Sequence, residues 1–210
     1  MSDIPTIECR PDGPYRVKDL EDLWNSRAER IATKPDIVLC RCGGSATKPF
    51  CDGTHRKIGF SGEKKGGGAA DRRDSYRGRK ITIHDNRGIC AHAGRCSDGL
   101  AAVFRYGQEP WIDPEGAEAG AIVETIRKCP SGALSYDLGG DEIRDPRRKP
   151  AITVTKDGPY EVVGGVQLTG QSWGEGASKE HYTLCRCGAS KNKPFCDGTH
   201  WQIGFKDDKN

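Results

Sequence analysis

Ten cysteines and five histidines are distributed over 210 residues, and most of the cysteines stand in groups with ligand-like spacing. Cys40, Cys42, Cys51 and His55 occupy positions 0, 2, 11 and 15 of one stretch, and Cys185, Cys187, Cys196 and His200 repeat that spacing. Each set offers three thiolates and one imidazole, enough to saturate a metal centre. Cys-x-Cys on a tight loop puts two sulfurs on one metal. The later Cys and His stand one turn apart if Asp52 and Asp197 open a helix, whose first N–H groups would face an anionic centre. Two pairs of ligands suit a rhombic two-iron, two-sulfide cluster, one pair for each iron. Tetrahedral zinc is the alternative for the same donors. Pro49 and Pro194 fix the approach to the turn, and Gly53 and Gly198 let the backbone come close.

The elements that must hold these donors are themselves repeated. A shift of 145 positions aligns residues 7–60 with 152–205 without a gap, and 17 of the 22 positions from Leu39 to Phe60 are identical. Asp12-Gly13-Pro14-Tyr15 returns as Asp157-Gly158-Pro159-Tyr160, so the unit includes a turn and a strand ahead of the first ligand. Units of about fifty residues bury little core and need a metal or a partner to be stable. Between turn and ligands the copies diverge at equal length. Leu20, Leu23, Trp24, Arg27, Ala28 and Ile31 predict a short amphipathic helix in the first, against a Gly-rich run from Gly164 to Gly176 in the second.

A middle unit separates the copies. Ile81 to Asp85 alternates as a strand, Ala117 to Arg127 predicts a helix with Ala121, Ile122 and Ile126 on its apolar face, and Ala133 to Tyr136 closes as a strand. The predicted organisation is a first metal-binding unit at 1–60, a linker at 61–78, the middle unit at 79–137, a linker at 138–150, and a second metal-binding unit at 151–210. The basic segments Arg72, Arg73, Arg77, Arg79, Lys80 and Arg144, Arg147, Arg148, Lys149 read as solvated linkers.

Net charge +3 gives no case for nucleic acid, and 28 glycines with a mean hydropathy of −0.71 leave little deep core. The opening Met1-Ser-Asp-Ile-Pro-Thr6 has no basic or apolar run, and no stretch approaches the ~20 apolar residues of a membrane span. A cytoplasmic protein without membrane contact is expected, and in a reducing compartment ten cysteines are ligands rather than disulfides. Cys9, opposite Val154 in the other copy, reads as a strand residue packed on the core.

Cys40 to His55 and Cys185 to His200 meet the whole pattern of the CDGSH iron-sulfur family, of mitoNEET type, and resemble it closely. The resemblance implies 2Fe–2S ligation, with Cys40 and Cys42 on one iron and Cys51 and His55 on the other, and likewise Cys185 with Cys187 and Cys196 with His200. It places Ser45 and Ser190 at a hydrogen-bonding position near each cluster. Family members pair as homodimers, so two copies in one chain imply a monomer folded as an intramolecular pseudo-dimer. The implied fold class is α+β, with small β-rich cluster-binding units and a ferredoxin-like α+β middle domain.

The middle unit, with Cys90-Ala-His92-Ala93-Gly-Arg-Cys96 and the remote Cys129-Pro130, is similar to the divergent single-cluster ferredoxin-like family. The central cysteine of the bacterial run is replaced by Ala93, and His92 sits one residue early. Cys90, Cys96 and Cys129 with an empty fourth corner suit a 3Fe–4S cluster. A 4Fe–4S cluster with His92 or solvent as fourth ligand, and a unit with no cluster, stay open.

The expected function is electron transfer with an unidentified redox partner protein, and no enzymatic activity. No Ser-His-Asp pattern and no nucleotide-binding glycine loop occur, and His84 and His181 fall in or beside strands as surface or packing residues. A redox or iron-status sensor, or a cluster donor, is the alternative, because a histidine ligand that titrates near neutrality makes a cluster acid-labile. A zinc module binding nucleic acid is a third reading. Arg56-Lys57 after His55, against Trp201-Gln202 after His200, predicts that the first site is the easier to reduce.

Overall fold

A computed structural model of the chain describes residues 4–66, 68–143 and 146–210. Met1 to Asp3, Gly67, Arg144 and Asp145 lie outside the described residues, and with them the start of the polar opening and the Arg144 end of the second basic segment. The described chain is mostly β-sheet, with few and short helices. In the first repeat the strands are β1 (Thr6–Cys9), β2 (Tyr15–Lys18), β3 (Asp22–Trp24), β4 (Arg30–Ile31) and β5 (Asp36–Leu39), followed by the single-turn helix α1 (Thr54–Lys57). The middle of the chain contributes β6 (Arg73–Arg77), β7 (Thr82–Asn86), α2 (Arg95–Gly99), α3 (Ala119–Ile126), β8 (Leu134–Leu138) and β9 (Asp141–Ile143). The second repeat has β10 (Ala151–Val154), β11 (Tyr160–Val163), β12 (Gln167–Thr169), β13 (Tyr182–Leu184) and α4 (Thr199–Gln202).

The repeats exchange a strand. Sheet order is β12-β1-β2-β5 in one sheet and β13-β11-β10-β3-β4 in another. β3 lies parallel to β10 with Leu23 opposite Ile152, and β12 lies parallel to β1 with Leu168 opposite Ile7. Residues 22–24 and 167–169 are 145 positions apart, so the segments whose sequences diverge most perform the same exchange in opposite directions. One apolar core serves both sheets: Ile7, Tyr15, Val17 and Leu23 pack with Ile152, Tyr160, Val162 and Leu168, all buried. Cys9 ends β1 against this core, and burial pushes its thiol up to about 11.

The helix expected over Leu20 to Ile31 is instead the β3 and β4 hairpin. Asp19 and Ala28 adopt left-handed φ values of 57° and 60°, which a right-handed helix does not admit. The Asn25 side chain accepts from Arg27 N–H and Glu29 N–H at 3.0 and 2.9 Å and closes the turn between the strands. Leu23 gains complete burial by joining the other repeat's sheet, and that tertiary pairing outweighs local periodicity. The Gly-rich run of the second repeat likewise holds β12.

The middle sheet runs β6-β7-β8-β9 with α3 packed on it. It begins inside the expected first linker, because Arg73–Arg77 pairs with Thr82–Asn86, and ends inside the second, because Gly139-Gly140 turns β8 into β9. Helix α3 is shorter than expected and buries Ile122, Thr125 and Ile126, while Ala121 is exposed. His84 is buried between Ser75 (Nδ1 to Oγ 2.8 Å) and Asp137 (Nε2 to Oδ2 3.0 Å), and His181 is buried beside Ser178, so both are packing residues. Four of the five basic residues of the first segment are paired locally, Arg72 with Asp74, Arg73 with Glu142, Arg79 with Glu115 and Lys80 with Glu118. Among the described residues no helix is long and apolar enough to cross a membrane.

Candidate metal centres

Each repeat brings its donors together as two pairs. Cys40 Sγ and Cys42 Sγ are 3.8 Å apart, and Cys51 Sγ lies 3.4 Å from His55 Nδ1. The second repeat gives 3.8 Å for Cys185 and Cys187 and 3.4 Å for Cys196 and His200 Nδ1. Two sulfurs about 2.3 Å from one tetrahedral metal must be about 3.8 Å apart, and a sulfur and an imidazole nitrogen about 3.5 Å. Both pairs therefore have the span of ligands sharing one metal. Among the described residues no three Cys, His, Asp or Glu side chains converge as they would around a single ion. Two two-donor pairs fit a binuclear centre, so the residues present suit the 2Fe–2S group.

The local backbone explains the pairs. Asp52 accepts from Ala46 N–H at 2.8 Å through one oxygen and Thr54 N–H at 3.0 Å through the other, tying the ligand loop to the start of α1. A hydrogen bond from the Thr54 side chain first, and then these two, hold its carboxyl far below the usual range. Asp197 does the same with Lys191 and Thr199. The residue preceding each helix is Gly53 or Gly198, with φ of 87° and 80°, and not the expected aspartate. Gly53 N–H points at Cys51 Sγ, 3.4 Å away. Ser45 donates to Phe50 carbonyl at 2.7 Å and Ser190 to Phe195 carbonyl at 2.7 Å, closing each loop. Within each Cys-x-Cys pair the hydrogen bond between the two sulfurs lowers one thiol and raises the other. Cys40 is lowered to about 6 while Cys42 is raised, and Cys187 is lowered while Cys185 is raised.

The two loops meet back to back. Cys42 and Cys187 form an isolated antiparallel bridge. Gly43 and Gly188, at φ of 78° and 81°, pass so close that an added Cβ would lie 2.6 Å from Cys187 carbonyl oxygen or 2.5 Å from that of Cys42. Tyr15 hydroxyl reaches across to the carbonyls of Cys185 and Pro194 at 2.9 and 3.0 Å, and Tyr160 reciprocates to Cys40 and Pro49 at 2.9 and 3.1 Å. Arg186, between two ligands, is wholly buried, ion-paired to Asp207, and donates to Gly158 carbonyl at 2.9 Å. Among the described residues its counterpart Arg41 hydrogen-bonds to carbonyls, those of Gly62 at 3.0 Å and Arg10 at 3.4 Å, and not to a carboxylate, since Gly62 stands where the second repeat has Asp207. Sequence reading assigned no role to these tyrosines and arginines. The signal was present in their identity at the 145-residue shift inside Asp-Gly-Pro-Tyr and Cys-Arg-Cys.

Cys90, Cys96 and Cys129 line one cavity of about 610 Å³, together with His92. Burial pushes Cys90 up to about 12, and His92 N–H points at its sulfur from 3.3 Å. The loop turns at His92 and Gly94, with φ of 52° and 75°. Tyr76, Asp85, Arg87 and Trp111 are among the other residues of the wall, and Arg87 stacks 4.4 Å over the Trp111 ring. Burial, opposed by Arg87, raises Asp85 to about 7. Asp85 was read only as the end of a strand, because a single carboxylate in an alternating run carries no sign of the cavity beside it. Three thiols around one cavity fit an iron-sulfur cluster with one corner lacking a cysteine.

This cysteine loop lies on the second repeat. A Cβ at Gly198 would be 3.1 Å from His92 Cβ and 3.4 Å from Ala91 carbonyl oxygen. His200 is accordingly 4 % exposed and Cys196 3 %, whereas His55 and Cys51 are half-buried. The desolvation lowers the His200 imidazole below the ordinary histidine range.

Donors in this arrangement define an iron-sulfur protein. A family model described as iron-binding zinc finger, CDGSH type, matches residues 12–56 and 157–201. One described as a divergent 4Fe-4S mono-cluster matches residues 76–139 between them. The chain belongs to the CDGSH iron-binding family, with two such domains flanking a stretch that matches the divergent 4Fe-4S mono-cluster model. Over 61 residues it is 41 % identical to the uncharacterized protein YjdI of Escherichia coli K12, spanning 29 % of this chain and 80 % of that protein. YjdI of Escherichia coli O157:H7 matches equally. No solved structure matches. The 4Fe-4S description stands against the 3Fe–4S expectation drawn from three cysteines.

Proposed function

We propose that the chain is an iron-sulfur electron carrier. Cys40, Cys42, Cys51 and His55 hold one 2Fe–2S cluster, and Cys185, Cys187, Cys196 and His200 hold a second. Cys90, Cys96 and Cys129 would hold a 4Fe–4S cluster, the type that the matched model describes, in the cavity that His92 also lines. Such groups, when bound, take up and release single electrons. The two repeats act as an intramolecular pseudo-dimer, and the middle unit is a ferredoxin-like insert.

The observation that carries this reading is contact between the donor-bearing loops. Cys42 bridges Cys187, and Ala91 and His92 lie on Gly198. Electron exchange between centres needs them close together, and contact between their loops supplies that proximity. Reversible reduction by dithionite and reoxidation, with iron fully retained, is the expected result. Loss of iron on reduction, with transfer to an apo-ferredoxin at neutral pH, would instead assign the protein to cluster donation.

The unequal cover of the two histidines gives a second expectation. Protonation of a ligating imidazole competes with iron, and burial keeps His200 neutral to lower pH. Iron loss followed by visible absorbance on stepping from pH 8 to 5 should therefore be biphasic, with the half-exposed His55 site lost first. His55→Cys should remove the fast phase, and a single phase in the unmodified protein would contradict the assignment.

A further inference from the structure

The two repeats carry the same groove, and one of them is filled. On the second repeat Gly158, Pro159, Glu161, His200 and Trp201 face Ala91, Ala93 and Arg95 of the middle unit across a residual space of about 130 Å³, and Arg95 is ion-paired to Glu161. The counterparts 145 positions earlier are Gly13, Pro14, Arg16, His55 and Arg56. They line an open groove of about 1040 Å³ whose walls come entirely from residues 10–60. Val38 in that groove is 41 % exposed, while Thr183 at the matching position is 1 % exposed. The filled groove shows what its shape receives: a short loop of small residues from a cluster-bearing unit, anchored at one side by an ion pair.

The charge at the anchor is reversed in the open groove. Arg16 stands where the second repeat has Glu161 and Arg56 where it has Trp201; Arg10, at the place of Thr155, is paired with Glu8, and Asp12, the counterpart of Asp157, lies at the rim. Asp36 holds the Arg16 guanidinium through Nε and Nη2, and a fork of five N–H donors still has Nη1 to offer a second carboxylate. Where the internal loop presents Arg95 to a glutamate, an external loop must present a carboxylate to arginines. We propose that this groove is the docking surface for an acidic electron-transfer protein, which seats a loop of small residues beside His55 and sets carboxylates against Arg16 and Arg56. The proposal rests on the carrier reading above. Its position is economical in distance, because the groove wall includes His55, a donor of the first paired site.

The test uses the fully loaded chain and a purified acidic 2Fe–2S ferredoxin as probe, with affinity read by titration calorimetry at low and high salt. Saturable binding that weakens with salt is expected. Arg16→Glu with Arg56→Glu should weaken it on the order of tenfold or more, with the visible spectrum retained, and slow one-electron exchange with the reduced probe in parallel. Arg127→Glu with Lys80→Glu, the same change in net charge on exposed residues of the middle unit, should leave binding unchanged. Absence of saturable binding would overturn the proposal, and so would equal weakening by both double variants. Self-association that the Arg16 and Arg56 variant abolishes would assign the groove to a second copy and likewise overturn it. A protein that cycles with dithionite without losing iron, yet fails to bind, loses the docking surface alone. One that sheds iron when reduced loses the carrier reading as well.

Discussion

Gly188→Ala is expected to destabilise the folded protein by about 4 kcal/mol and to release metal from both paired sites. Two effects add at this position. A residue with a side chain at a φ of 81° is strained by about 1–3 kcal/mol. The new methyl would also meet Cys42 carbonyl oxygen at 2.5 Å, and forcing the loops apart costs roughly 1–3 kcal/mol more. The loops cannot yield independently, because Tyr15 and Tyr160 tie each of them to the opposite repeat. Gly43→Ala, which meets Cys187 carbonyl oxygen at 2.6 Å, should behave alike. Gly170→Ala separates the two effects, since its φ of 68° is also left-handed but no atom lies within 4 Å of the added methyl. Chemical denaturation of the three loaded variants, followed by circular dichroism and visible absorbance, checks the ranking. Equal losses for Gly170 and Gly188 would mean that the back-to-back loop contact is not what holds the repeats together.

Asp207→Ala should cost about 3–5 kcal/mol, because it leaves the Arg186 guanidinium buried without its carboxylate. Carbonyls of Gly158 and Thr155 still accept from Arg186 but do not neutralise it. Removing both charges, as Arg186→Leu with Asp207→Leu, should restore a large part of the loss, since the pair's attraction is set against the desolvation of two ions. Denaturation midpoints of the single and double variants measure this. An exposed contrast is Arg30→Ala, which opens a pair with Asp22 at 3.2 Å in which the arginine is 57 % exposed, and it should cost under about 1 kcal/mol.

The donors were legible in the sequence because ligation imposes spacing, and spacing is local. Cys40, Cys42, Cys51 and His55 fall within sixteen positions, and the structure brings them into pairs. The strand exchange was not legible. Leu20, Leu23, Trp24 and Ile31 recur at helical intervals, and what makes Asp22–Trp24 a strand is β10, more than a hundred residues away. The same non-locality hid the start of the middle sheet, since Arg73–Arg77 is polar and gains its place by pairing with β7. Arg56-Lys57 and Trp201-Gln202 led to the expectation of an easier reduction at the first site, whereas the difference the structure shows is one of cover. Its larger source is Ala91 to Arg95 lying on the second site, and two alanines in a cysteine loop carry no signal of which surface they will cover. That contact and the Trp201 ring, its centroid 5.0 Å from that of His200, leave His200 buried where His55 is half-buried.

The central claim is that the paired donors hold two-iron clusters and the three remaining cysteines a third cluster. Iron, acid-labile sulfide and zinc measured on protein purified without oxygen, with electron paramagnetic resonance of the reduced form, test it most directly. Two 2Fe–2S clusters and one 4Fe–4S cluster add to eight irons and eight sulfides per chain, with no stoichiometric zinc. Seven irons would make the middle centre 3Fe–4S, and four would leave it without iron. Two zinc ions per chain, with no sulfide and no paramagnetic signal on reduction, would contradict the claim.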